Sequence, residues 1–309
     1  MVGFCSCILF MVIESWLNVL AQSNNRGQLF SAYIAVYMFS SGLAPLWLVA
    51  VDPYTPALLL VSSAFFTLCL IPVALTPVVQ PTAIAEARFD LRSIWRNSPL
   101  GVIGTFAAGM SLGVVYTLAP AFALQFGMTE TQTAMFLIAL FAGGGLLQWP
   151  LGRISDYVDR RWVLIMACFF GAGFAFAFDF IGSFSLTLLA VSALMGGCLS
   201  SMYPLSVAYS NDHASPESAL NISQSLLLFY GIGAVVGPVL TGVVMSLFGS
   251  EYLPMTLVVF LIVPGLYGLY RVTRRAPVPS ADQHEYVPMV QTTPVEFEMH
   301  PQISSASVK

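Results

Sequence analysis

Nine stretches of this chain are each predominantly apolar over about 20 residues or more, and this feature most limits what it can fold into. They lie at about 2–21, 29–51, 56–77, 100–124, 134–154, 162–182, 185–209, 219–248 and 252–271. A helix needs roughly 20 such residues to cross the hydrocarbon core of a bilayer. Because the stretches are too long for barrel strands and lack alternation, they predict nine transmembrane α-helices.

The composition agrees with an all-α polytopic membrane protein surrounded by the lipid bilayer. Of the residues, 57% are hydrophobic and only 8% are charged, whereas soluble proteins carry about 25% charged residues. The net charge is −4 and no basic block is present, so we expect no nucleic-acid partner. We expect a monomer.

The basic residues predict the topology. All eleven fall on one side of the nine stretches: Arg26, Arg88, Arg92, Arg96, Arg153, Arg160, Arg161, Arg271, Arg274, Arg275 and Lys309. The connections at 51–55, 125–133, 182–184 and 249–252 contain none. Since cytoplasmic loops are enriched in Arg and Lys, we expect the N-terminus outside and the C-terminus inside.

An internal repeat predicts two bundles. Tyr37–Pro45 resembles Tyr230–Pro238 at an offset of 193 residues, which lays the first three stretches over the last three. Stretches four to six then lack counterparts, as in a six-plus-six repeat without its first three helices. We therefore predict an incomplete N-terminal bundle at 1–77, a cytoplasmic linker at 78–98, a six-helix bundle at 99–275 and a disordered cytoplasmic tail at 276–309.

The connection between stretches five and six carries a family resemblance. It reads GRISDYVDRR and resembles the major facilitator superfamily signature G-x-x-x-D-R-x-G-R-R; Tyr157 and Asp159 stand where Arg and Gly are typical. Gly152, Asp156, Arg160 and Arg161 match it. Gly233, Gly237, Pro238 and Gly242 resemble the family's glycine–proline pattern on helix eleven, and we expect them to pack helices together.

A second resemblance concerns the N-terminal region. Glu14–Asn18, Arg26-Gly27 and Tyr33 are similar to helices four and five of the YcaD-like branch, bacterial proteins of undefined substrate. The resemblance implies the superfamily fold truncated to helices four to twelve, in the bacterial inner (plasma) membrane. It also implies a secondary carrier that moves a small solute by alternating access, with neither enzymatic activity nor a cofactor.

Glu14 is the one ionisable residue well inside an apolar stretch. A charge at the centre of a membrane helix costs roughly 2.5–3.5 kcal/mol on insertion scales, so this side chain is either protonated or set in a water-filled cavity. Both situations suit a proton-coupling site. The alternative is a structural carboxylic acid that is hydrogen-bonded to a neighbouring helix.

The resemblance also implies which stretches line a central cavity, namely one, two, four, five, seven and eight. Their polar and aromatic residues are candidates for contact with the solute: Tyr33, Tyr37, Tyr116, Gln148, Tyr203, Gln224 and Tyr230. Each could instead be an ordinary packing or interface residue. No Arg or Lys lies well inside a stretch, since Arg153 and Arg271 stand at the ends of theirs, and this favours neutral or cationic organic solutes.

We further expect the signature loop to act as a cytoplasmic gate. By the family's pseudo-symmetry, the Asp156 carboxylate would face Arg26 or the backbone N–H groups of residues 28–30, where a helix dipole favours a negative charge. The alternative is a solvated loop carboxylate.

Two functions remain open: a proton-coupled carrier, and a truncated membrane protein that does not transport, such as a fragment or a partner-binding remnant. The chain shows no phosphate-cradling loop, catalytic triad or metal-ligand spacing, so we expect no enzyme, no metal and no cofactor.

Overall fold

The computed structural model describes residues 26–52, 55–75, 91–212 and 219–274, together with residues 9, 12 and 13. Within these ranges every regular element is a helix. The α-helices are α1 Arg26–Leu43, α2 Trp47–Ala50, α3 Ala57–Leu75, α4 Leu91–Asn97, α5 Pro99–Gln125, α6 Glu130–Tyr157, α7 Arg160–Ala177, α8 Leu186–Asn211, α9 Ala219–Phe248 and α10 Leu253–Val272. Short 3-10 turns at Ala44–Leu46, Phe178–Phe180 and Ser250–Tyr252 adjoin α1, α7 and α10.

Among the described residues, six helical segments are long and apolar enough to cross a membrane, which confirms a multi-pass helical membrane protein. They are Pro99–Gln125, Glu130–Tyr157, Arg160–Phe180, Leu186–Asn211, Ile222–Phe248 and Ser250–Val272. The first predicted stretch, with Glu14, lies almost entirely outside the described residues. The total of nine spans, the orientation of the termini and the division into bundles therefore stay predictions.

Side-chain caps explain where several helices begin. Thr129 and Gln132 form a capping box at the start of α6, with each side chain accepting a hydrogen bond from the other residue's backbone N–H. Ser185 accepts from the N–H of Leu188 at the start of α8. Pro99 is the first residue of α5. A backbone N–H at this position has no acceptor within the helix, so a proline, which lacks the N–H, removes no hydrogen bond. These caps satisfy N–H groups that a helix cannot pair internally.

Glycines bring α5 and α9 into close contact. A side chain at Gly109 or Gly113 would collide with the backbone of Tyr230 or Ala234, and one at Gly233 or Gly237 with that of Phe106 or Met110. Small residues allow helix backbones to approach this closely in a membrane. We call these four glycines the α5/α9 seam. Around Gly242 a Cβ would meet no described atom within 4 Å, so its packing role stays a prediction.

A second seam joins α6 to α8. Gly143 lies against the backbone of Ala193, and Gly196 lies against that of Leu140. In the α5/α9 seam Gly233 meets Phe106 and Gly237 meets Met110, so α5 and α9 run in the same direction. Helices α6 and α8 also run in one direction, since the contact of Gly143 with Ala193 is followed by that of Leu147 with Gly197. If α5, α6 and α7 are matched in order with α8, α9 and α10, the α5/α9 seam is matched with the seam between α8 and α6. Two matching sets of three helices are the nested three-plus-three arrangement of some transporter folds. Buried residues such as Leu112, Leu199 and Met202 fill the core between them.

The segment from α1 to α2 joins this bundle by packing on α6. Pro45 is buried there, and the Trp47 ring meets the edge of Phe65 on α3, with 5.6 Å between ring centroids. At the offset of 193 residues the first residue of α1 aligns with the first residue of α9, and Ala57 aligns with Ser250, where the turn before α10 begins. Superposing the paths would test the repeat directly.

Candidate functional site

Four tyrosines from four helices lie close together where α1 meets the bundle. The rings of Tyr203 on α8 and Tyr230 on α9 form an edge-to-face pair, with 5.2 Å between centroids and 63° between planes. Tyr37 on α1 and Tyr116 on α5 both lie in the neighbourhood of Tyr230, and Tyr37 lies in that of Tyr116. We call these four side chains the tyrosine cluster.

The cluster is closed on one side and open on the other. The side chains of Tyr203 and Tyr230 are buried, whereas Tyr116 is 48% exposed. Phe141 on α6 stacks on the Tyr116 ring at 5.2 Å between centroids and 17° between planes. Five helices therefore contribute rings to one aromatic surface, which is exposed at Tyr116.

The cluster lies near the middle of the helices. Tyr37 and Tyr230 are each about 16 Å along the axis from the first residue of their helix, at 1.5 Å per residue. Among the described helices, every charged residue belongs to the two turns nearest a helix end. In this part of the chain the centre of the site is therefore polar only through hydroxyl and amide groups, with aromatic rings between them.

The other predicted cavity residues occupy different levels. Tyr33 is partly buried one turn before Tyr37 on α1. Gln148 is buried on α6, next to Leu147, which packs against Gly197 of α8. Gln224 lies on α9 towards its start, and its Oε1 is buried without a hydrogen-bond donor among the described residues. Contact of these residues with a solute stays a prediction.

The signature loop forms a buried ion network at one end of the bundle. The Arg160 side chain is 1% exposed, and its Nη2 donates to Asp156 Oδ1 at 2.9 Å. Its Nη1 donates to Asp212 Oδ1 at 3.2 Å, and that carboxylate is also buried. This network joins the end of α6, the start of α7 and the end of α8.

A separate ion pair follows directly. Asp159 caps α7 by accepting from the Arg161 backbone N–H at 3.0 Å. The same carboxylate accepts from Arg161 Nε at 3.0 Å and from Nη2 at 2.6 Å. Asp159, which replaces the glycine of the family signature, thus provides the turn and binds one of its two arginines. Gly152 is buried and its carbonyl accepts from Ser155 Oγ at 2.6 Å.

Sequence reasoning missed two members of this region, Asp212 and Asn211. Asp212 completes the Arg160 network, and both amide atoms of the buried Asn211 lack a partner among the described residues. The available signal was their position: both end an apolar stretch on the side that carries the arginines. Glu14 and the Arg26 side chain lie outside the described residues, so neither the coupling site nor the Asp156 latch is tested.

The described residues contain no group of three His, Cys, Asp or Glu side chains that could hold a metal ion. The polar groups of the described part include the tyrosine cluster and the ion networks, and Arg160 joins the ends of α6, α7 and α8.

Comparison with known proteins identifies the family and the relatives that the sequence resembles. The sequence model described as Major Facilitator Superfamily matches residues 101–298. The chain is 26% identical to the uncharacterized MFS-type transporter YcaD of Escherichia fergusonii over 254 aligned residues. The aligned region covers 81% of this chain and 65% of that protein. It is 25% identical over 283 residues to an uncharacterized MFS-type transporter of Yersinia pestis, with coverages of 87% and 68%. The chain thus spans about two thirds of the length of these relatives.

Proposed function

The chain belongs to the Major Facilitator Superfamily, and from that premise we propose that it is a secondary carrier whose solute binds at the tyrosine cluster. The observation that carries this proposal is the convergence of Tyr37, Tyr116, Tyr203 and Tyr230 from α1, α5, α8 and α9. Transporters of this kind bind their solute near the middle of the bilayer, between two bundles that rock against each other. No enzymatic step is part of this function.

The chemistry of the cluster suggests the class of solute. Aromatic faces attract cations and stack on planar groups, and tyrosine hydroxyls can donate or accept hydrogen bonds. Because the described helix centres carry no Arg or Lys, an anionic solute would have no cationic partner there. A neutral or cationic organic solute fits this part of the site.

The ion network fits a role at the gate. Arg160 joins the ends of α6, α7 and α8, so these helices would move as one body. Asp156 is 26% exposed and could also meet the start of α1, which packs on the same bundle through α6. We propose that the contact between Asp156 and the start of α1 is the latch and that it lies on the cytoplasmic side. The membrane in this proposal is the bacterial inner membrane.

Transport can be tested in proteoliposomes with a panel of tritiated amino acids, nucleosides and polyamines under an inward proton gradient. We expect at least one compound to accumulate above protein-free liposomes. Losing a hydroxyl that binds the solute costs about 0.5–1.5 kcal/mol, so Tyr230→Phe and Tyr116→Phe should reduce that uptake by about tenfold at most. Tyr252→Phe, in the turn before α10, should leave it unchanged. If no compound accumulates, the alternative of a non-transporting membrane protein is favoured.

Proton coupling through Glu14 needs its own test. In the same assay we expect Glu14→Gln to abolish accumulation driven by the proton gradient while solute exchange continues. Glutamine keeps the shape and the hydrogen bonding of glutamate but cannot release a proton. Unchanged accumulation by Glu14→Gln would assign the residue to packing.

A further inference from the structure

The last turn of α10 carries arginines that no described carboxylate neutralises. The guanidinium of Arg274 lies over the Tyr270 ring at 5.4 Å from its centroid. Arg271 is partly buried, and its Nε has no acceptor among the described residues. Salt bridges in the described part of the chain involve only Arg160 and Arg161.

The neighbouring helix α7 adds an aromatic residue and no free acid at this level. The helices are antiparallel: Gly265 packs against Cys168 and Phe169, and Gly268 packs against Ile165. The antiparallel register continues for another turn beyond Gly268 and Ile165, which sets Arg271 of α10 level with Trp162 of α7. The Trp162 side chain is exposed. The carboxylate nearest in sequence, Asp159, is already bound by Arg161.

An apolar stripe leads along α10 to these arginines. Its exposed residues recur every three or four positions and therefore share one face of the helix: Met255, Val259, Val263, Leu266 and Tyr270. A molecule lying along this stripe would contact hydrocarbon side chains over most of its length and meet Tyr270 and the guanidiniums at its end.

We propose that this face of α10 binds an anionic phospholipid, with the phosphodiester held by Arg271 and Arg274 and an acyl chain along the stripe. A guanidinium can give a phosphate two parallel N–H bonds, which makes arginine well suited to this group. Tyr270 and Trp162 are aromatic residues of the kind found at the level of lipid headgroups. A free phosphate would leave the stripe unused, and a zwitterionic lipid would bring its own ammonium group to a surface that already carries two positive charges.

The acidic segment 276–309 is the rival occupant. It contains Asp282, Glu285, Glu296 and Glu298 and directly follows the arginines. It offers carboxylates but no long hydrocarbon chain, so it matches the charge of the surface without matching the stripe. The test below separates the two occupants.

Native mass spectrometry can count phospholipids retained by the purified protein from an equimolar mixture of phosphatidylglycerol and phosphatidylcholine. We expect phosphatidylglycerol to be retained up to about thirtyfold over phosphatidylcholine, since each of the two juxtamembrane arginines contributes about 1 kcal/mol towards anionic lipid and about 1.4 kcal/mol corresponds to a factor of ten. The double substitution Arg271→Gln/Arg274→Gln should bring the ratio close to one, and Arg271→Lys/Arg274→Lys should keep most of the preference.

The matched control is Arg153→Gln on α6. Arg153 is also exposed and also stacks on an aromatic ring, with its guanidinium 5.3 Å from the centroid of Trp149, but it lies on another helix. Its substitution should leave the lipid ratio unchanged. Equal retention of the two lipids by the wild type, or an equal loss in the Arg153 variant, would overturn the proposal. So would a chain ending at Arg275 that retains severalfold more phosphatidylglycerol, because the tail would then be the native occupant.

Discussion

The Arg160 guanidinium lies between two carboxylates, those of Asp156 and Asp212, where the ends of α6, α7 and α8 meet. The family signature predicts Arg160 and Asp156 only as members of one gate motif, with Asp156 facing Arg26 or residues 28–30, whereas the structure pairs Asp156 with Arg160 itself at 2.9 Å. The family signature gives no indication of Asp212. This residue is 52 positions from Arg160 in the sequence and joins the network only because α7 packs on α8. The free energy of a buried guanidinium depends on both carboxylates, so the missed residue matters as much as the predicted one.

Removing one partner of this network should destabilise the protein strongly. Arg160→Gln leaves the buried Asp212 carboxylate without its cation, and breaking such a pair costs about 3–5 kcal/mol. We expect a large fall in the free energy of unfolding, measured by chemical denaturation in detergent. Arg153→Gln removes an exposed arginine and should change it by less than about 1 kcal/mol.

A double substitution separates the attraction between Arg160 and Asp212 from the free-energy cost of burying an unpaired charge. Arg160→Met/Asp212→Leu removes both charges and should be less destabilised than Arg160→Gln, because no uncompensated charge remains buried. Equal stability of Arg160→Gln and Arg153→Gln would show that the network does not hold these helices.

At the scale of the elements, hydropathy predicted the helices well and their contacts poorly. The stretches 100–124 and 185–209 became Pro99–Gln125 and Leu186–Asn211, since apolar length alone decides a membrane helix. The helix α4 lies inside the predicted linker, where polarity gave no helical signal. The sequence predicts Gly233 and Gly237 as packing residues but not Gly109 and Gly113 on the α5 side of the seam, because a glycine in an apolar stretch does not identify the helix it meets.

The α5/α9 seam makes a prediction within one helix. Gly237→Ala would place a methyl group against the Met110 backbone, and overpacking of this kind typically costs about 1–3 kcal/mol. Gly242→Ala, five residues later in open surroundings, should be neutral or slightly stabilising because alanine favours helix by up to about 1 kcal/mol over glycine. Thermal unfolding of the two purified variants distinguishes them; similar melting temperatures would mean that the seam is not closely packed.

At the scale of the whole molecule, the sequence was sufficient for the membrane class and the family. The tyrosines were predicted as separate candidates on separate helices; that four of them meet in one cluster follows from the tertiary packing of α1, α5, α8 and α9. Tyr37 and Tyr230 occupy equivalent positions in the proposed repeat, and two residues related by a pseudo-two-fold axis can be neighbours only where both lie next to that axis.

The central claim is that the tyrosine cluster faces a water-accessible pathway, and cysteine accessibility tests it most directly. With the five native cysteines replaced by alanine, Tyr37→Cys and Tyr116→Cys are treated in membranes with a charged, membrane-impermeant thiosulfonate. That reagent attacks the thiolate, which forms readily only in water. Val263→Cys is the control, because Val263 is exposed on the α10 stripe and faces lipid in this account. We predict rapid labelling at both cluster positions and little at Val263. Labelling of Tyr37→Cys and Tyr116→Cys as slow as that of Val263→Cys would contradict it.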